Sequence, residues 1–111
     1  MDLLPPAIRA ALTRFPVGSQ AGRGMDALVV VKYFFPAGRY TLFVTEAEFD
    51  DEDTLLYGYC ISALGADCDE WGYASLNELQ GLRVRSLTIE RDLHFPLATR
   101  TVAEALKRHA A

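Results

Sequence analysis

The sequence predicts an α+β fold, in which an antiparallel sheet of about four strands is packed by N- and C-terminal helices. Three observations support this prediction. Apolar residues recur at helical spacing near both ends, the middle is rich in β-branched and aromatic residues, and turn signals separate the middle segments. Strands bounded by helices favour an α+β arrangement, because each helix can bury its apolar side on the sheet. The 111 residues, half of them hydrophobic, suit a single domain over residues 1–111.

The first helix is predicted to begin at the Pro-Pro pair at 5–6, because the first helical turn tolerates proline. Ile8 and Leu12 follow at helical spacing. Pro16 ends this helix, since proline cannot continue it. Residues 17–24 contain three glycines and are predicted to form a flexible connector.

The strands are predicted from runs of β-branched and aromatic residues. These runs cover residues 27–35, 39–45, 54–61 and 70–74. The acidic residues 47–53 are predicted to form a loop between the second and third strands. The side chains expected to be largely buried in one core are Val30, Phe34, Leu42, Val44, Tyr57 and Trp71.

Two capping boxes predict the later helices. Ser75 and Glu78 begin a short helix that stops at Gly81, and Thr101 with Glu104 begins the last helix. Between them, residues 87–93 are predicted to be extended.

Charge is divided unevenly along the chain. Residues 40–82 hold ten carboxylates and no Lys, Arg or His, so their formal charge is −10. The remaining residues carry all eleven Lys and Arg against five acids, which gives +6. Nine of the ten carboxylates are candidate partner-binding residues: Glu46, Glu48, Asp50, Asp51, Glu52, Asp53, Asp67, Asp69 and Glu70.

This asymmetry predicts a non-enzymatic acidic interaction module that docks on a basic surface of a protein partner. Opposite charge speeds the encounter of two proteins, and spaced carboxylates can occupy sites built for phosphates. The same stretch contains Tyr57, Tyr59, Trp71 and Tyr73, and such rings can stack on single-stranded bases. Direct nucleic-acid binding is not expected there, because a stretch without positive charge repels phosphates.

A small metal-dependent hydrolase or nuclease is the alternative from a different class. Glu90, Asp92 and His94 would share one face of an extended segment. Two carboxylates and an imidazole can hold a divalent metal for phosphodiester hydrolysis. The competing interpretation is structural: Arg91 pairs with a nearby acid, and the apolar residues between enter the core.

A further alternative is a DNA-binding accessory protein of a mobile element. It would act through the basic residues near the C-terminal end, which would form one continuous patch. These residues are Arg83, Arg85, Arg100, Lys107 and Arg108.

No cofactor and no metal are predicted. The glycine-rich segment lacks the lysine of a P-loop, and residues 50–53 lack the glycine and the final glutamate of an EF-hand. Cys60 and Cys68 have no zinc-site spacing and are expected to be reduced thiols. No apolar run is long enough to span a membrane and the first residues show no signal-peptide pattern, so a cytoplasmic location is expected.

Three motifs carry a resemblance to a known family. Residues 31–36 (VKYFFP), 72–79 (GYASLNEL) and 89–95 (IERDLHF) resemble the bacterial "domain of unknown function 2958" family. The similarity runs through nearly the whole chain. The resemblance implies a single small domain that mobile elements often carry, and it implies no activity or catalytic residue. It also suggests a narrower prediction: an inhibitor of a host nucleic-acid machine, of anti-CRISPR or anti-restriction type.

Overall fold

A five-stranded antiparallel sheet forms the centre of the protein. The computed structural model describes residues 1–110, and the side chains of residues 1–109. The described residues contain seven strands, five of them in this sheet: β1 (Val31–Phe34), β2 (Thr41–Phe49), β3 (Thr54–Ile61), β4 (Glu70–Ser75), β5 (Arg83–Val84), β6 (Leu87–Thr88) and β7 (Glu90–Arg91). The order across the main sheet is β4-β3-β2-β1-β7, and β5 and β6 form a separate hairpin. The predicted α+β class is confirmed, with one more strand in the sheet than expected.

Three α-helices flank this sheet: α1 (Pro6–Thr13), α2 (Leu76–Gly81) and α3 (Val102–Ala110). Both predicted capping boxes begin a helix. The Ser75 side chain accepts a hydrogen bond from the Glu78 backbone N–H at 3.2 Å. At α3 the exchange is reciprocal, because Thr101 Oγ1 accepts from the Glu104 N–H while the Glu104 carboxylate accepts from the Thr101 N–H, both at 3.1 Å. None of the helices described here has the length and apolar content to cross a membrane.

The helices at the two ends of the chain cover opposite faces of the sheet. On one face Leu42 and Leu56 pack with Ile8 of α1. On the other face Phe43 packs with Val102 of α3. Because neighbouring strand residues point to opposite sides, consecutive residues of β2 contribute to two separate cores. We refer to these two sides of the sheet as the α1 face and the α3 face.

A β-bulge in β2 changes the face that its later residues occupy. Val44 lies opposite Gly58, but after the bulge Glu46 lies opposite Tyr57. Uninterrupted alternation would place Glu46 and Glu48 on the α1 face together with Val44. The extra residue moves both carboxylates to the α3 face, which also carries Tyr57.

Some predicted boundaries differ from the structure. Residues 27–29 do not belong to β1, because they pair with the segment before α3: the Val29 N–H donates to the Arg100 carbonyl at 2.8 Å. β2 continues to Phe49, because the bulge lets its last residues stay paired with β3. The acidic loop is therefore limited to residues 50–53. Residues 87–93 contain two short strands in place of one extended piece.

The predicted core is half correct. Val30, Leu42 and Val44 are fully buried, and the largest buried aromatic side chains are Tyr33 and Phe43. The other three predicted core residues, Phe34, Tyr57 and Trp71, are only partly buried. Tyr57 and Trp71 lie on the α3 face towards the β4 edge, where both border a cleft and Trp71 also packs against the edge of the α3-face core.

Candidate functional site

A cleft of about 540 Å3 opens on the α3 face. It lies between the glycine-rich loop, residues 17–24, and strands β3 and β4. Tyr57, Trp71 and Tyr73 line the strand side, and Thr45 and Glu46 of the β2 bulge contribute to the lining. Among residues 1–110, no Lys, Arg or His side chain lines this cleft. We call it the aromatic cleft.

The three aromatic rings form one continuous wall. Tyr57 and Trp71 are stacked, with ring centroids 5.7 Å apart and an interplanar angle of 18°. Tyr57 and Tyr73 are cross-strand partners whose centroids are 4.8 Å apart. Because the rings contact one another, a ligand cannot enter between them and must lie over their outer faces. Tyr73 is 61% exposed, so this wall is accessible to a partner.

Glu46 places a buried carboxylate in the cleft lining. It is only 4% exposed. Its Oε1 accepts a hydrogen bond from the Gly18 N–H at 2.9 Å, and its Oε2 accepts one from the Gln20 N–H at 2.7 Å. No basic side chain pairs with Glu46 in the part of the chain that the structure describes. The carboxylate therefore anchors the glycine-rich loop and leaves its negative charge without a cationic partner.

Gln20 fixes the same loop from the other side. Its side-chain Nε2 donates to the carbonyl oxygens of Leu28 and Thr45, at 2.8 and 2.9 Å, and its Oε1 accepts from the Leu28 N–H at 2.6 Å. The turns of the loop use left-handed backbone conformations at Gly18 (φ 95°) and Gly22 (φ 84°), which glycine adopts at little cost. The prediction of a flexible connector is therefore wrong, because buried hydrogen bonds hold this loop against the sheet.

Asp53 and Asp69, both predicted to bind a partner, are used within the fold. Asp53 accepts hydrogen bonds from the Ser75 hydroxyl and from the Asn77 N–H, and the Ser75 bond is the main reason that its pKa is lowered. Asp69 forms a bidentate ion pair with Arg39, with N–O distances of 2.7 and 2.8 Å. That hydrogen bonding lowers the pKa of Asp69 to about 2. Like Glu46, both carboxylates therefore accept hydrogen bonds within the fold.

The other six carboxylates are exposed: Glu48, Asp50, Asp51, Glu52, Asp67 and Glu70. Glu48 borders a shallow depression with Leu55 and Tyr73, and this depression adjoins the aromatic cleft because both include Val17 and Tyr73. Glu70 lies opposite Cys60, on the α1 face of the sheet. The structure therefore does not bring the predicted residues together as one surface.

Glu90, Asp92 and His94 do not assemble into a metal site. β7 ends at Arg91, and the next residues form a turn in which Asp92 accepts a hydrogen bond from the His94 N–H at 2.9 Å. The Asp92 carboxylate also pairs with Lys32 at 3.4 Å. In the described residues, no group of three or more His, Cys, Asp or Glu side chains is placed to hold a metal ion.

The five basic residues of the DNA-binding alternative come from two parts of the fold. Arg83 and Arg85 belong to the β5–β6 hairpin, whereas the other three lie just before or within α3. The Arg100 guanidinium lies 5.4 Å from the Phe95 ring centroid, so it contributes to packing on the α3 face.

The sequence analysis named Glu46 only as one of nine acidic docking residues, and it missed Gln20 and Thr45. Gln20 is the only long, uncharged polar side chain in the glycine-rich segment, and this feature could have indicated that it holds the loop in place. Thr45 and Glu46 gave no such signal, because their position in the cleft depends on the bulge.

Comparison with known proteins places the chain in a family. The family model described as "Protein of unknown function (DUF2958)" matches residues 3–109. The chain belongs to this family. The resemblance of the three motifs is thereby confirmed, and the DUF2958 description names no activity. No curated protein and no solved structure matches the chain.

Proposed function

We propose that this protein is a non-enzymatic interaction module that docks on a basic surface of a partner protein. One observation carries the proposal: the aromatic cleft combines one exposed and two partly buried aromatic rings with a buried carboxylate, and it has no cationic side chain among its described lining residues. Aromatic anchors dominate the energy of many protein interfaces, and complementary charge selects and orients the partner.

The docking surface in this proposal is the aromatic cleft and the adjoining end of the β2–β3 hairpin. Leu55 and Tyr73 are exposed large apolar side chains beside the exposed carboxylate of Glu48. Asp51 and Glu52 lie in the turn that follows β2. An apolar centre with charged residues at its rim is the usual organisation of a protein interface.

The mobile-element inhibitor is a narrower form of this proposal. Host nucleic-acid machines carry basic surfaces built for phosphates, and an acidic module that occupied such a surface would compete with nucleic acid. We place the interaction in the cytoplasm, in keeping with the free thiols of Cys60 and Cys68.

Affinity capture from the protein's own host tests the proposal. Glu48 and Asp51 are both changed to Lys in the test variant, and Asp67 and Glu70 in a control with the same change of formal charge. All four side chains are exposed, so both variants should fold. We expect the control to capture the same basic partner as wild type and the test variant to lose it. Equal capture by both variants, or capture of no basic protein by wild type, would contradict the proposal.

A further inference from the structure

We infer that the aromatic cleft receives an arginine side chain of the partner protein. This inference rests on the proposed function and specifies the group that the docking surface recognises. It follows from the buried charge, the geometry of the aromatic wall and the absence of cationic lining residues within the described chain.

Glu46 carries a buried carboxylate. Buried ionised groups in proteins are normally paired with an opposite charge, because removing a charge from water is costly. Glu46 is 4% exposed and its oxygens accept two backbone N–H groups, from Gly18 and Gln20, but no cation accompanies it in residues 1–110. Each carboxylate oxygen can accept a second hydrogen bond. A cationic donor that enters the cleft would complete this site.

The aromatic wall lines the same cleft as Glu46. The exposed Tyr73 ring, with the partly buried rings of Tyr57 and Trp71 beside it, attracts cations, because the face of an aromatic ring carries negative charge density. A guanidinium is planar and weakly hydrated, so it stacks on such faces and still donates hydrogen bonds along its edge. The chain itself contains this type of contact, since the Arg9 guanidinium lies 4.4 Å from the Phe49 ring centroid.

The same features argue against other occupants. A phosphate or a nucleic-acid backbone would meet a carboxylate and no cation. A lysine ammonium would satisfy the charge, but its compact, strongly hydrated head gains less from a flat aromatic wall. Arginine matches both the charge and the planar surface.

Titration with short peptides tests this inference by NMR. The probes are blocked tri-arginine and blocked tri-lysine, which have equal charge. Trp71 is the only tryptophan, so its indole N–H is a unique signal in the cleft, and the Gly18 and Gln20 amides report on the Glu46 carboxylate. We expect tri-arginine to shift these three signals saturably and to bind about fivefold more tightly than tri-lysine.

Three variants locate the site. Tyr73→Ala should weaken tri-arginine binding about fivefold, because it removes one exposed ring face. Glu46→Gln should weaken it about tenfold, because it removes the charge. If the glutamine variant does not fold, Tyr73→Ala still decides the question. Glu70→Gln is the matched control, since it removes one carboxylate from β4 on the other face and should leave binding unchanged.

Three results would overturn the arginine site. Shifts confined to residues 50–53, with equal affinity for both peptides, would locate cation binding in the turn and leave the docking proposal intact. Absence of saturable shifts with either peptide would exclude the cleft as an arginine site, and affinity capture would still decide the docking proposal. Shifts of the Trp71 signal with protein concentration alone would assign the cleft to contact with a second copy of the chain in place of a partner protein.

Discussion

Gly58 of β3 lies so close to the backbone of Phe43 in β2 that any side chain at position 58 would overlap it. A Cβ atom added to Gly58 would lie 2.0 Å from the backbone oxygen of Phe43. This contact lies beside the β2 bulge that turns Glu46 towards Tyr57. The aromatic cleft therefore depends on a backbone arrangement that only glycine at position 58 permits.

Gly58→Ala should lower the free energy of unfolding by at least about 3 kcal/mol, because the backbone of β2 must move to relieve the overlap. Gly72→Ala is the matched control. Gly72 lies opposite Gly58 on β4, but a Cβ there would meet no atom within 4 Å. Urea denaturation should show a change below about 1 kcal/mol for this control. Equal stability of the two variants would show that β2 and β3 do not approach as described.

The two aromatic residues Phe43 and Trp71 should differ in their contribution to stability. Phe43 is fully buried, with its ring centroid 6.3 Å from that of Phe95, so Phe43→Ala should cost about 3–5 kcal/mol. Trp71 borders the cleft and is partly exposed, so Trp71→Ala should cost about 1–3 kcal/mol. Thermal or urea denaturation of both variants measures the difference. A larger loss for Trp71→Ala would place the tryptophan in the core, as the sequence predicted.

Local signals explain which parts of the fold were predictable. The proline pair and the two capping boxes mark helix starts through backbone chemistry that lies within a few residues, and all three helices begin there. The β2 bulge has no such signal, because it results from how two strands pair. Since every residue after the bulge changes face, the positions of Glu46 and Glu48 could not be predicted from alternation.

The candidate site was predictable in composition but not in arrangement. The aromatic and acidic residues were identified in one stretch of sequence. The sequence did not indicate which carboxylates are exposed and which stabilise the fold. That distinction depends on distant partners: Arg39 for Asp69, Ser75 for Asp53 and Gln20 for Glu46. Hydrogen bonds between residues more than twenty positions apart leave no periodic pattern in a sequence.

The ion pair of Asp69 with Arg39 should make stability depend on pH in the acid range. The pKa of Asp69 is lowered from its usual value of 3.8 to about 2, chiefly by its hydrogen bonds to Arg39. A lowered folded-state pKa means that the stabilisation is present above pH 3.8 and is lost as the pH falls through 2. The urea midpoints of wild type and Asp69→Asn should therefore differ above pH 3.8 and converge as the pH falls to about 2. A constant difference from pH 2 to 6 would contradict this account.

Charge reversal in the hairpin should affect association more than stability. The Glu48 and Asp51 carboxylates are exposed and accept no hydrogen bonds from other described residues, whereas the Asp53 carboxylate accepts hydrogen bonds from Ser75 and Asn77. Changing Glu48 and Asp51 to Lys should leave the melting temperature within a few degrees of wild type and slow association with the captured partner at low salt. Changing Asp53 to Lys should lower the melting temperature. An association rate that is the same for wild type and the double variant at every salt concentration would remove the hairpin from the docking surface.

Site-specific photo-crosslinking in the host tests the central claim, docking through the aromatic cleft, most directly. The crosslinking residue p-benzoyl-phenylalanine replaces Tyr73 in one variant and Leu93 in the other. Both positions are 61% exposed, and they lie near opposite edges of the sheet, Tyr73 on β4 and Leu93 just after β7. We expect a crosslink from position 73 to a basic segment of one protein, and none to that protein from position 93. Crosslinking of the partner from position 93 and not from position 73 would contradict it.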